Sequence, residues 1–244
     1  MMQITKRDRL VLKLLLDYGI LTTKQIHALA FKSSDYSIAL RRLRLIEKEK
    51  FINRVHGLPS GLASWLLTQK GASLVGGIPL LNRVNYNSLL HDVRLSTLRM
   101  ELERQGIAKR WMTSFELNRL LGEKRARNLE SVQVPDAVFS LRKDKEWIST
   151  ALELELKRKS KDRYVKIFRN YKRSKTIDLV WYIVEDYRLG EFLEDLWAKT
   201  IGYGKCQFKW SYYHVGEDLE DPIETDCIER IALPAAHSWG TLSS

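Results

Sequence analysis

Along the first eighty residues the apolar positions recur at helical spacing and then change to a short extended pattern. In TKRDRLVLKLLLDYG, residues 5–19, Leu10, Leu14 and Tyr18 fall on one face, Val11 and Leu15 fall beside it, and Gly19 is a stop signal. LTTKQIHALAF follows, where Thr22 or Thr23 caps a short helix that presents Ile26, Leu29 and Ala30 inward. SSDYSIALRRLRLIEKEKFI opens on serine caps and reads as a third helix. Its apolar face is Ile38, Leu40, Leu43 and Ile46, and Arg41, Arg42 and Arg44 project elsewhere. FINRVHGLPSGLASWLLTQKGASLV then reads as two strands about a Gly/Pro/Ser turn, with its end starting a further helix. Three helices followed by a β-hairpin predict an N-terminal winged helix over residues 1–75. Its third helix would enter a major groove, and Arg54 on the wing would reach the phosphate backbone. A winged helix used for protein contacts has the same pattern; the Arg-Arg-x-Arg cluster favours DNA.

A loop with Gly76, Gly77 and Pro79 marks a domain boundary, and a second domain is expected over residues 80–244. SLLHDVRLSTLRMELERQG predicts a long helix with Leu89, Val93, Ser96 and Met100 on one side. RWMTSFEL, VQVPDAVFSL and EWISTALELEL predict three strands. KDRYVKIFRNYKRSK predicts an amphipathic helix, TIDLVWYIVED a buried strand, LGEFLEDLWAKTI a helix and CQFKWSYYHV a last strand. The order α-β-β-β-α-β-α-β predicts an α/β (α+β) domain with a mixed sheet.

Composition sharpens this picture. A chain of 244 residues holds two modest domains, and 44% hydrophobic with 10% aromatic content excludes a disordered one. Lys and Arg number 41 against 30 Asp and Glu, and the net charge of +11 points to a polyanionic partner. Cys206 and Cys227 lie far apart without CxxC spacing, so neither a zinc site nor a disulfide framework is indicated. His27, His56, His91, His214 and His237 are scattered, with no HxH or HExxH. The N-terminus has no apolar signal region and the apolar stretches fall short of a membrane span, so a cytoplasmic location is expected.

The candidate chemistry lies between Val134 and Lys157. RKDK, residues 142–145, is polar and turns the chain between two strands. A turn centred between Asp144 and Lys145 sets Asp136 opposite Glu153. Strand alternation then puts Glu153, Glu155 and Lys157 on one face, and Leu152, Leu154 and Leu156 on the other as core. Such carboxylates repel one another until a divalent cation binds, and oxygen ligands suit Mg²⁺ or Mn²⁺. That ion would lower the pKa of a bound water and stabilise charge on a scissile phosphate, while Lys157 would orient the water or neutralise a phosphate oxygen. The ELELK string alone also fits an ordinary solvated strand face; Pro135-Asp136 on the preceding strand adds the third acid. Tyr164 and Tyr171 fit core packing or, as the other reading, a covalent nucleophile, for which no HxH site is present.

Pro135-Asp136 followed by Glu155-Leu156-Lys157 resembles the PD-(D/E)xK motif of restriction-endonuclease-like nucleases. More narrowly, His91-Asp92, Pro135-Asp136 and Glu153-Leu154-Glu155 with Lys157 resemble three blocks of the MobC-type plasmid mobilisation relaxases, also grouped as replication-relaxation proteins. The resemblance covers nearly the whole chain. It implies a restriction-endonuclease-like second domain and a cation-dependent, site- and strand-specific nick in double-stranded plasmid DNA at a transfer origin. It also implies an accessory mobilisation or coupling protein as a further partner. Asp136, Glu155, Lys157 and His91 would be catalytic, and Asp136, Glu153 and Glu155 would hold the metal. His91 fits a capping or packing role equally. Residues 157–175 carry ten Lys or Arg and one acid, Asp162, and Lys159, Lys161 and Arg163 are expected on a phosphate backbone. Glu217–Glu229 carries seven acids and no Lys or Arg, which fits a solvated loop, a partner surface or a cover for a basic groove. Two other activities share these features: a DNA-binding regulator with a degenerate nuclease fold, and a restriction-type endonuclease that cuts both strands.

Overall fold

The computed structural model describes residues 3–58, 61–80, 85–125, 134–202 and 206–212, with side chains undescribed at 123–125. His214, Cys227, His237 and the acidic segment Glu217–Glu229 lie outside the described residues. The chain divides into two compact units, the first running to Met100 and the second from Glu101.

The first unit begins with α1 (Lys6–Tyr18), β1 (Ile20–Thr22), α2 (Thr23–Ala30) and α3 (Tyr36–Lys48). It continues through β2 (Ile52–Val55), β3 (Ser64–Leu67) and α4 (Gln69–Leu74) into α5 (Leu89–Arg104). Helix starts follow side-chain chemistry. Thr5 and Asp8 form a capping box on α1, and Thr22 and Gln25 form one on α2. Gly19 ends α1 at φ 81°, a left-handed conformation that glycine adopts without a Cβ penalty. The three strands form an antiparallel sheet in the order β1-β3-β2. Val11, Leu15, Ile26, Leu43, Ile46 and Trp65 make the core, so the helix–hairpin order expected of a winged helix is present. Strand β1 is an addition; three residues are too short to show a period.

The sequence puts a boundary between residues 75 and 80, but most of α5 belongs to the first unit. Its Ser96 hydroxyl donates to the Ile20 carbonyl at 3.1 Å, and the Gln25 amide donates to Thr97 Oγ1 at 2.9 Å. Leu89, Val93, Ser96 and Met100 are buried, as the spacing predicts.

The apolar face of α3 differs from expectation. Ala39, Leu43 and Ile46 are buried, whereas Ile38 is 38% exposed. Arg42 sits three residues after Ala39 and four before Ile46, so helical geometry turns it toward the interior. There its Nε donates to Asp8 Oδ1 at 2.7 Å and its Nη2 to Asp8 Oδ2 at 2.5 Å. Arg42 therefore ties α3 to α1 and does not join the expected phosphate contacts. Arg41 and Arg44 are exposed.

The second unit contains β4 (Ala108–Thr113), α6 (Ser114–Arg125), β5 (Ala137–Lys143) and β6 (Glu146–Glu155). It continues with α7 (Lys161–Arg173), β7 (Leu179–Val184), α8 (Tyr187–Ile201) and β8 (Gln207–Tyr212). The strands lie in the order β4-β5-β6-β7-β8; β4, β5 and β6 form an antiparallel meander, and β7 and β8 add in parallel. This is the predicted mixed sheet with one extra helix. α6 starts within RWMTSFEL, where Thr113 and Glu116 form reciprocal bonds: Thr113 N–H to Glu116 Oε2 at 2.8 Å, and Glu116 N–H to Thr113 Oγ1 at 3.3 Å. α7 buries Tyr164, Ile167, Phe168 and Tyr171, one apolar stripe, against β6 and β7, with α8 beside it.

Burial of the Asp8 carboxyl would raise its pKa, but the Arg42 guanidinium and the Thr5 donors outweigh this and hold it below its usual value. Arg42→Ala strands a carboxylate whose side chain is fully buried, and should lower the unfolding free energy at neutral pH by roughly 3 kcal/mol. A depressed carboxyl stabilises the fold above its ordinary value and ceases to do so as pH falls through the folded value. The gap between parent and variant in urea denaturation should therefore close in acid; an equally stable variant at pH 7 would contradict the role of the pair.

Candidate active site

The β5–β6 hairpin fixes the register. Ala137 pairs with Leu152 and Lys143 with Glu146, which is the pairing predicted from a turn at Asp144-Lys145 and sets Asp136 opposite Glu153. Asp144 takes φ 53°, a left-handed conformation that a short polar side chain tolerates. Beyond the last ladder pair, Asp136 replaces a backbone partner with its side chain: Oδ2 accepts the Leu154 N–H at 2.8 Å, while its own N–H donates to the Leu152 carbonyl at 3.1 Å. The carboxylate is thereby locked to the strand that carries the two glutamates.

Those glutamates do not face solvent. Of the leucines expected as core, Leu152 at 0% and Leu154 at 3% are buried while Leu156, past the strand end, is half-buried; Glu153 and Glu155 are themselves only 5% and 4% exposed. They share a face with Ala151, and that face lies under α7. Their oxygens are satisfied from this helix and its lead-in. The Tyr171 hydroxyl donates a short hydrogen bond to Glu153 Oε1, and the Lys159 ammonium donates a short one to Glu155 Oε2. The Lys159 N–H donates to the Tyr164 hydroxyl at 2.9 Å, fixing the turn that delivers the ammonium.

Lys157 departs from its expected place. β6 ends at Glu155, Leu156 and Lys157 form a bend, and Lys157 is exposed. Strand alternation therefore stops before it could set Lys157 beside the acids; Lys159 takes that position, not the free phosphate-contact role expected of it. His91 and Asp92 lie in the first turn of α5, in the first unit, with His91 Nδ1 3.3 Å from Asp92 Oδ1 and the Ser88 hydroxyl donating to Asp92 Oδ2 at 3.0 Å. Arg54 lies over the Trp65 ring at 5.9 Å instead of projecting from the hairpin. Lys161 and Arg163 are exposed on α7 with Lys166 and Arg169, forming the basic face opposite its buried stripe.

Burial dominates the electrostatics. It pushes the Glu155 carboxyl up, the hydrogen bond and charge of Lys159 pull it down, and Asp136 pushes it up again, leaving it raised. The Tyr164 hydroxyl is pushed up to about 12, chiefly by burial, and Tyr171 and Tyr182 are raised well above the ordinary tyrosine value by burial and by the neighbouring carboxylates. Such hydroxyls hold their protons tightly, which suits donors and packing groups and opposes the covalent-nucleophile role.

Asp136, Glu153 and Glu155 are hard oxygen donors of the type a divalent cation takes. The Tyr182 hydroxyl is buried beside them in their field with no hydrogen-bond partner among the described residues, a place that suits the water of a hydrated cation. As the side chains stand, no three His, Cys, Asp or Glu among the described residues converge on one point, and Lys159 supplies the positive charge at Glu155. Cation binding there requires Lys159 to swing away. In the sequence Tyr171 reads as core or nucleophile and Tyr182 only as part of a buried strand, so neither is expected as a neighbour of the acids; the α7 stripe is the signal that could have placed Tyr171 over β6.

Glu155 yields a pH test. Its raised folded pKa means that the native state holds the proton more tightly than the unfolded chain, so stability falls as pH rises from the ordinary glutamate value through the folded one. Glu155→Gln should remove that slope, read as the urea midpoint at pH 4.5 and pH 7. A variant that keeps the parent's slope would place the titration elsewhere.

Among the described residues no helix is long and apolar enough to cross a membrane. No curated protein and no solved structure matches the chain. A sequence model described as replication-relaxation matches residues 12–178, more than half of the chain, from α1 through the β5–β6 hairpin and α7. The chain belongs to the replication-relaxation family.

Proposed function

We propose that this protein is a DNA nickase of the relaxase type, acting on plasmid DNA with Mg²⁺ or Mn²⁺, as its MobC-type resemblance implies. The observation that carries this reading is the side-by-side placement of Asp136, Glu153 and Glu155 at one end of the β5–β6 hairpin, where charged groups are costly to bury. Asp136 and Glu155 would hold the ion, with Glu153, anchored by Tyr171, supporting them. When bound, the ion supplies a water of lowered pKa and charge stabilisation at the scissile phosphate. Asp136 is held to β6 by the Leu154 N–H, which fixes its carboxylate beside the two glutamates. Lys159, once displaced, is a cation within reach of a phosphate. Duplex affinity would come from Arg41 and Arg44 on α3 of the winged helix and from the exposed basic face of α7.

The Lys159–Glu155 pair favours a second reading, a regulator that binds DNA and does not cut it, because the ammonium already neutralises the acid that a cation would need.

Supercoiled plasmid carrying the cognate region separates these readings. The parent with Mn²⁺ should yield open circles, while Asp136→Ala and Glu155→Ala should yield none and keep their duplex affinity. Linear product would indicate a two-strand endonuclease, and unchanged plasmid with the parent would indicate the regulator. Arg41→Ala with Arg44→Ala should weaken duplex binding and reduce its salt slope by about two units if each side chain contacts one phosphate. An unchanged slope would remove α3 from the interface.

A further inference from the structure

Among the described residues, the face of the second sheet that carries the acids is only half covered. Ala151, Val180, Tyr182 and Val184 on this face are buried in the cluster that α7 and α8 form. Strand alternation puts Asp136, Val138, Ser140 and Arg142 of the β5 strand line on the same face, with Ser149 and Trp147 of β6 opposite the last two. Here the burial pattern changes: Val138, Ser140 and Ser149 are half-buried, and Arg142 and Trp147 are exposed. β4 continues the surface. A bulge between Lys109 and Met112, with Arg110 at φ 57°, adds one residue and so keeps both Lys109, opposite Ser140, and Met112, opposite Val138, on this face. The open strip runs along seven residues from Asp136 to Arg142, about 20 Å over six rises of a strand.

The far end of the strip is a cationic aromatic platform. Trp147 is 41% exposed, the Lys109 ammonium lies 3.5 Å from its ring centroid, and Arg142 is its cross-strand partner. An indole of this size on an open sheet face, ringed by cations, offers a flat π-surface and phosphate ligands together. A base in a duplex is already stacked on its neighbours and cannot use that surface; an unpaired base can. We infer that this strip binds single-stranded DNA, with Trp147 stacking a base and Lys109 and Arg142 taking the flanking phosphates. The inference rests on the reading that the substrate is DNA and extends it: the strip leads from the platform to Asp136, so a strand lying on it would reach the acid cluster. Lys109 covers the ring face a base would use, and would swing outward to a phosphate as the base arrives.

The test is independent of cleavage. Fluorescence anisotropy of a labelled oligothymidine is measured with the full chain in EDTA, beside a duplex of the same length. Trp147→Ala should weaken oligothymidine binding by about 5- to 100-fold, the span for loss of one stacked base, and leave duplex binding unchanged. Trp147→Phe, which keeps a stacking ring, should restore most of the loss. Arg142→Ala should lower the single-strand salt slope by about 0.7. The proposal is overturned if Trp147→Ala binds oligothymidine like the parent, if both DNA forms weaken equally, or if Trp147→Phe is as poor as Trp147→Ala. Because no cation is present, loss of nicking in the acid variants and loss of strand binding here are separate results, and either can fail alone.

Discussion

Two carboxylates on alternate residues of one central strand are taken out of water by a helix, and most of the second unit follows from that constraint. Glu153 and Glu155 are almost fully buried between β6 and α7. Isolated there, each charge would cost several kcal/mol, so each needs a dedicated partner. Glu153 receives the Tyr171 hydroxyl and Glu155 the Lys159 ammonium, one from the last turn of α7 and one from just before its first. The two bonds therefore pin both ends of α7 to the strand beneath. Tyr164, Ile167 and Phe168 fill the interval with apolar contact, and the basic residues of the helix are left pointing outward beside the acids. A strongly cationic surface and an acidic interior meet along one helix.

The first unit rests on a smaller instance of the same physics. Asp8 caps α1 through Thr5 and is buried; Arg42 compensates it from α3. The pair removes an arginine from the exposed surface of α3 and orients Arg41 and Arg44 outward. One arginine of the cluster thus serves the fold and two serve the surface, a division set by the helical period rather than by composition.

Much of this was legible in the sequence because the relevant signals are local and periodic. The hairpin register follows from a polar turn and the period of two, which set Asp136 opposite Glu153. The heptad-like stripe on α7 and the buried face of α5 were read in the same way. What was missed required knowledge of what lies across a gap. Lys157 and Lys159 are equivalent in a strand pattern, and only the end of β6 at Glu155 decides between them. The acid face looked solvated because charged alternation usually is, and nothing local says that α7 covers it. Arg42 has no sequence neighbour that reveals Asp8, thirty-four residues earlier. By contrast, α6 was legible and overlooked: Thr113 and Glu116 have capping-box spacing, but the preceding run of RWM suggested that the strand continued.

Under the proposed function, the acid cluster would take a divalent cation in exchange for Lys159. Titration calorimetry with Mn²⁺ near pH 7, on the parent, Lys159→Ala and Asp136→Ala, tests it most directly. The account predicts a single site in the parent, tighter binding in Lys159→Ala because the competing ammonium is gone, and loss of the site in Asp136→Ala. No binding heat in either the parent or Lys159→Ala, or equal affinity in Asp136→Ala, would contradict it.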